Sequence, residues 1–326
     1  MADTAPAFTP VNLLTGFLGS GKTTLLRRLL LDPALAGTAV LINEFGEVGL
    51  DHLLLEASDE EVVLLEGGCL CCKVRGDLVR TAGELLARRA RGAAAFDRIV
   101  VETTGLADPA PILQALMTDR EIAHALRLES VIATVDCAAG DATLDAHPAS
   151  VKQVALADRL ILTKTDLADL AASGLAERVR RINPSAPQLI ALHGAVDASL
   201  LFNGSPHDRP VYSSETHTND GVTTFCLRRS APLHAVTLSL FLQVLAEHCG
   251  AKLLRLKGLV DVLESPGRPA LIHGVQHVFH PPAWLEAWPD DDRSTRIVVI
   301  SQGLDAGWLQ DLLEVLDEEV KACSIS

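Results

Sequence analysis

The octapeptide Gly16-Phe17-Leu18-Gly19-Ser20-Gly21-Lys22-Thr23 follows the apolar run Val11–Leu14 and opens the helical run Thr23–Leu31. A strand, then G-x-x-x-x-G-K-T, then a helix leaves few folds open. The glycines let the backbone curl until successive N–H groups converge on an anion. The helix N-terminus adds its partial positive charge. Lys22 can reach β- and γ-phosphates, and the Thr23 hydroxyl can ligate Mg²⁺. Gly16, Gly19, Ser20, Gly21, Lys22, Thr23 and Thr24 are therefore the expected phosphate-binding set.

Around this motif the chain alternates short apolar runs with amphipathic ones. Candidate strands are Val11–Leu14, Ala39–Asn43, Glu61–Leu65, Arg98–Glu102, Ser130–Val135, Arg159–Thr163 and Gln188–Ala191. Candidate helices include Thr23–Leu31, Arg75–Arg91, Pro111–Met117 and Leu167–Ile182. Such alternation implies an α/β unit with a mostly parallel sheet, whose ligands bind beyond the strand carboxyl ends. The segment His193–Gly221 is rich in Gly, Pro, Ser, Asn and Asp and reads as a linker. Beyond it the expected strands Val222–Leu227, Leu253–Val262, Ala270–Val278 and Arg296–Ile300 and the helices Ala235–His248 and Leu309–Lys321 form a smaller α+β unit. The expected division is 1–195, a linker at 196–220, and 221–326.

Further motifs fall at strand ends. Thr163-Lys164-Thr165-Asp166 follows Arg159–Leu162. The Asp166 carboxylate can accept two hydrogen bonds from guanine N1–H and N2–H₂, a donor pair adenine lacks. The Lys164 stem can lie over the base. Glu102 ends a buried-type strand and can hold the Mg²⁺ shell, and Gly105 after it permits backbone approach to a γ-phosphate. In Asn43-Glu44-Phe45-Gly46-Glu47-Val48-Gly49, Glu44 or Glu47 can touch the metal or position water. With Lys22 and Glu102, Glu44 completes the expected catalytic set. Cys69, Cys71 and Cys72 place three thiols in four residues, a set suited to soft ions. A closed zinc site wants a fourth ligand. A redox pair and buried small side chains are the other readings of the same residues. His273, His277 and His280 look like a ligand set, but in a strand 273 and 277 share a face and 280 does not.

Composition excludes other classes. A net charge of −14 over 326 residues repels phosphate backbones, so no nucleic-acid partner is expected. No apolar run is long enough to span a bilayer, so no membrane partner is expected. Met1–Pro10 lacks the features of a signal peptide, which makes the cytoplasm the expected compartment. Seven cysteines, three of them clustered, then read as metal or redox chemistry.

Together these segments resemble the CobW-type family of GTPases, relatives of the hydrogenase- and urease-maturation GTPases. The resemblance runs through Thr15–Leu26, Asn43–Asp51, Gly68–Leu78, Val100–Ile112 and Thr163–Leu167, and in the tail through Leu253–Val262 and Gly274–Phe279. It implies a P-loop GTPase domain and a CobW-type C-terminal domain, with GTP/GDP, Mg²⁺ and Zn²⁺ (or Co²⁺) as ligands. The C-x-C-C would bind the transition metal. A client metalloprotein and a nucleotide-dependent homodimer are what the resemblance further implies; slow intrinsic GTP turnover is expected because no arginine finger is evident in the sequence. A GTP-dependent activator of a metalloenzyme and a redox-regulated GTPase are the alternatives. The chain departs from the family in having Thr163 where Asn is frequent, and scattered His193, His207 and His217 in place of a histidine-rich tract.

Overall fold

The computed structural model describes residues 8–43, 62–65, 71–168, 174–202 and 216–324. The chain forms two compact units, Met1–Glu177 with Ala186–Pro206, and Arg178–Ser185 with His207–Ser326.

The first unit is built on seven strands: β1 (Thr9–Gly16), β2 (Thr38–Asn43), β3 (Val62–Leu65), β4 (Arg98–Glu102), β5 (Leu126–Asp136), β6 (Arg159–Thr163) and β7 (Gln188–Ala191). Their order is β3-β2-β4-β1-β5-β6-β7. Every pairing is parallel. Crossovers are made by α1 (Lys22–Leu29), α2 (Cys71–Ala90), α3 (Ala110–Thr118), the pair α4 (Gly140–Ala146) and α5 (Pro148–Leu156), and α6 (Leu175–Ile182). Because helices cover a parallel sheet, its strands bury both faces and read as continuous apolar runs. Ile99, Val100 and Val101 of β4 are at most 1% exposed.

One face of the sheet packs Leu14, Val40, Ile42, Val100, Ile132 and Ile161 against Leu25, Leu26 and Leu29 of α1. The same core takes in Ala198, Leu201 and Phe202 of a further helix, α7 (Ala198–Phe202). That helix lies in the stretch read as linker. Its apolar residues at i, i+3 and i+4 form a single core-facing stripe. The polar residues on either side of it obscure that stripe in the sequence.

In the second unit all strand pairings are antiparallel. The strands are β8 (His217–Asn219), β9 (Val222–Arg229), β10 (Leu253–Val260), β11 (Ala270–Val275), β12 (Val278–Phe279), β13 (Ala283–Trp284) and β14 (Thr295–Ser301). The sheet order is β12-β11-β10-β14-β9-β8, with β13 on β11. Helices α8 (Ala235–His248) and α9 (Ala306–Ser324) share one core with Phe225, Leu256, Ile272, Ile297 and Val299 of the sheet.

The expected strand Ala270–Val278 is a hairpin. Gln276 turns the chain at φ 53°, and the His280 amide donates to the His273 carbonyl at 3.0 Å. His273 and His277 therefore do not share a strand face. Among the described residues no group of three or more His, Cys, Asp or Glu side chains is arranged to hold a metal ion. The hairpin sets His273 and His280 across from each other and leaves His277 in the turn between them.

A buried ion pair ties α9 to β9. Asp317 is 1% exposed, bonds the Arg229 guanidinium, and lies 2.6 Å from Lys321 Nζ. Removing one partner of a buried pair leaves the other charge uncompensated, at about 3–5 kcal/mol. All three tryptophans (Trp284, Trp288 and Trp308) belong to this unit. Asp317→Ala is expected to lower its stability by about 3 kcal/mol. Tryptophan fluorescence in a urea titration reads that unit selectively, and an unchanged midpoint would refute the assignment.

Candidate functional site

The phosphate loop leaves β1 through Gly16, whose φ of 137° is open to glycine alone at no cost. Gly16 pairs with Thr134 on β5, and a Cβ there would overlap Thr134 and Ser20. Gly19 and Gly21 are also left-handed, at φ 72° and 91°. Gly21 is the N-cap of α1. No side chain caps that helix, and no acid stands in its first turn. The dipole and amides of the first turn are thus available to an anion.

The polar side chains of the loop are fixed by one another. The Ser20 hydroxyl donates to the Phe17 carbonyl at 2.7 Å and lies 2.6 Å from the Thr134 hydroxyl. Lys22 is buried, and its ammonium donates to the carbonyls of Gly16 at 3.0 Å and Phe17 at 3.2 Å. That holds the charge across the mouth of the loop. Thr24 is exposed.

The Thr23 hydroxyl donates to Glu102 Oε1 at 2.8 Å. Glu102 ends β4 and is 3% exposed. A hydroxyl and a carboxylate meeting at this separation supply two hard oxygen donors, a set that fits Mg²⁺. The following loop is close-packed. A Cβ on Gly105 would overlap the backbone of Leu18, so glycine is required for the loop to lie against the phosphate loop.

The guanine-type motif divides its labour. Thr163 is buried, and its hydroxyl reaches the Ser20 carbonyl at 2.8 Å and the Val135 carbonyl at 3.2 Å. It is a tie between β6 and the phosphate loop. Lys164 takes a left-handed conformation, φ 55°, and its ammonium pairs with Asp136 Oδ2 at 2.6 Å. Asp166 is exposed on the turn beyond. Asp136 was not among the sequence candidates. It ends the apolar run Val131–Val135 as Glu102 ends its own, and that signal could have found it. Its other oxygen accepts from the Ala138 amide at 2.8 Å. His193 and Gly194, both at positive φ, turn the chain after β7, and Gly194 packs on Thr24.

Cys71 and Cys72 form the first residues of α2, earlier than the expected start at Arg75. Cys69, Glu44 and Glu47 lie outside the described residues. Three other thiols are made harder to ionise. Burial, then the neighbouring Asp136 charge, pushes Cys137 up to about 11. Burial also raises Cys226 and Cys249.

The parallel sheet, the glycine loop with Lys22 and Thr23, and the Glu102 partner define a P-loop nucleotide-binding protein. The model of the CobW/HypB/UreG nucleotide-binding domain matches residues 10–190, and that of the Cobalamin synthesis protein cobW C-terminal domain matches residues 222–316. The chain belongs to the CobW/HypB/UreG family. It is 33% identical over 320 residues to the zinc chaperone YjiA of Escherichia coli, covering 96% of each chain. It is 33% identical to the zinc chaperone CobW of Pseudomonas aeruginosa, covering 91% of this chain and 88% of that one. The crystal structure of Zn(II)-bound YjiA GTPase from E. coli superposes with a TM-score of 0.71 at 29% identity, over 95% of this chain and 99% of that one.

Two outcomes follow. Thr163→Val keeps the shape and removes the hydroxyl, leaving the Ser20 carbonyl short of a donor. GDP affinity by calorimetry is expected to fall by about 1–2 kcal/mol; equal affinity would mean that the tie does not shape the loop. A thiol titrating near 11 is protonated at pH 8. Iodoacetamide at pH 8 should therefore leave Cys137 unmodified in the folded protein and alkylate it after denaturation, as read by peptide mass spectrometry.

Proposed function

We propose that this protein is a GTP-hydrolysing metallochaperone that binds a transition metal, zinc before cobalt, through Cys69, Cys71 and Cys72 and delivers it to a client metalloprotein. The observation that carries the reading is the place of Cys71 and Cys72 in the chain's fold. Cys71 and Cys72 open α2 in the crossover that follows β3, at the same carboxyl edge of the sheet as the phosphate loop. A helix N-terminus favours thiolate over thiol. Membership of the family and the zinc chaperones among the relatives support the cargo.

In this reading the amides of Gly19–Thr23 and the Lys22 ammonium bind the β- and γ-phosphates. Thr23 and Glu102 hold Mg²⁺, which neutralises charge on the phosphates when bound. Asp166 and Lys164 take the guanine, with Lys164 steadied by Asp136. Glu44 positions the attacking water. Hydrolysis is slow, since no arginine finger is evident in the sequence. GTP and the metal favour one another's binding in this reading, and hydrolysis weakens the hold on the metal. Because such coupling is reciprocal, the metal tightens GTP binding by the same factor.

The test is Zn²⁺ affinity by competition with a chromophoric chelator under anaerobic conditions, for apo, Mg²⁺-GDP and Mg²⁺–GTP-analogue forms. The expected result is at least tenfold tighter binding with the analogue, about 1.4 kcal/mol, lost in Cys71→Ser. Equal affinity in all three states would overturn nucleotide-gated delivery in favour of client remodelling or redox control.

A further inference from the structure

Helix α5 touches the nucleotide machinery at three points, none of them a known ligand. At its N-cap, His147 stacks on Phe17 of the phosphate loop, with ring centroids 4.3 Å apart. At its middle, Lys152 Nζ pairs with Asp108 at 2.7 Å. The next residue, Gln153, is 1% exposed and donates from Nε2 to the carbonyls of both Gly105 and Ala107, each at 3.1 Å. Adjacent residues of one helix thus grip both ends of the segment Gly105–Asp108.

The chemistry of that grip calls for a donor with two N–H groups. Both partners are carbonyls, which only accept, so the NH₂ group must face them. Its two N–H groups match its two partners. Gln153 Oε1 is buried and accepts no hydrogen bond from a described protein group. Gln153 also lines a cavity of about 40 Å³ shared with Phe17, Ser20, Thr134 and Asp136. On its far side Gly105 lies against Leu18 with no room for a Cβ. The loop that follows Glu102 is therefore clamped between the phosphate loop and one buried carboxamide.

We infer that Gln153 is a positioning residue for GTP hydrolysis: it holds Gly105–Asp108 against the phosphate loop so that the segment meets the γ-phosphate. The inference rests on the GTPase reading above. It assigns Gln153 no contact with the nucleotide. A base-contacting or phosphate-contacting residue would alter GDP binding; this one acts only where the γ-phosphate is present.

The experiment compares wild-type protein, Gln153→Met and Gln153→Glu in single-turnover GTP hydrolysis and in affinity for GDP and a non-hydrolysable GTP analogue. Methionine keeps the length and removes both donors. The expected result for Gln153→Met is GDP affinity within about twofold of wild type, with at least tenfold losses in hydrolysis rate and in preference for the analogue over GDP. In Gln153→Glu a carboxylate faces two carbonyls at neutral pH and repels them; its protonated form donates to one. Its hydrolysis rate, divided by that of Gln153→Met at each pH, should rise as pH falls. Packing alone would give no such rise. Gln153→Met that matches wild type, or that loses GDP affinity as steeply as hydrolysis, would overturn the assignment. Wild-type protein with neither hydrolysis nor a preference for the analogue would overturn the GTPase reading with it, before any variant is compared. Should Gln153→Met not fold, Lys152→Met tests the same clamp from the solvent side, with an expected loss in hydrolysis and none in GDP affinity; unchanged hydrolysis would count against the clamp.

Discussion

Parallel pairing is the constraint from which the site follows. All seven strands of the first sheet run the same way, so their carboxyl ends share one edge. The four central strands, in the order β4-β1-β5-β6, end in Glu102, Gly16, Asp136 and Thr163. At ~4.8 Å between neighbours, these ends form a row roughly 14 Å long. Along that row the metal-type carboxylate, the phosphate loop, the lysine-holding acid and the loop tie stand in sequence. An antiparallel arrangement would send half of them to the opposite edge.

Within this row the polar groups serve one another before they serve a ligand. Thr23 bonds Glu102, Ser20 meets Thr134, Thr163 ties to Ser20, and Lys164 pairs with Asp136. Buried polar groups are costly unless paired. These pairings hold the loop in shape. The price in freedom falls on glycine: Gly16, Gly19 and Gly21 take backbone angles that other residues adopt with difficulty.

Much of this was legible in sequence because it is local. β4, β6, β7 and α8 match their expected limits residue for residue, since each is a short apolar or amphipathic run with clear punctuation. The phosphate loop and Glu102 announce themselves at strand ends. What escaped is non-local or short. Helices α4 and α5 are Ala-rich with little periodicity, and α7 is five residues in a polar stretch. The contact of Gln153 with Gly105 spans 48 positions, and no spacing rule links residues so far apart. The histidines of the β11–β12 hairpin lie close in sequence, and one left-handed residue, Gln276, turns the chain among them.

Three of the thiols outside the C-x-C-C are poor ligands for a soft cation. Cys137, Cys226 and Cys249 all have their acidity weakened, chiefly by burial. Only a thiolate ligates a soft cation strongly, so each of these sulfurs would have to surrender a proton at a penalty before it could capture an ion. Desolvation of these three positions thus insulates them: a soft cation that reaches them meets sulfurs that yield their protons reluctantly.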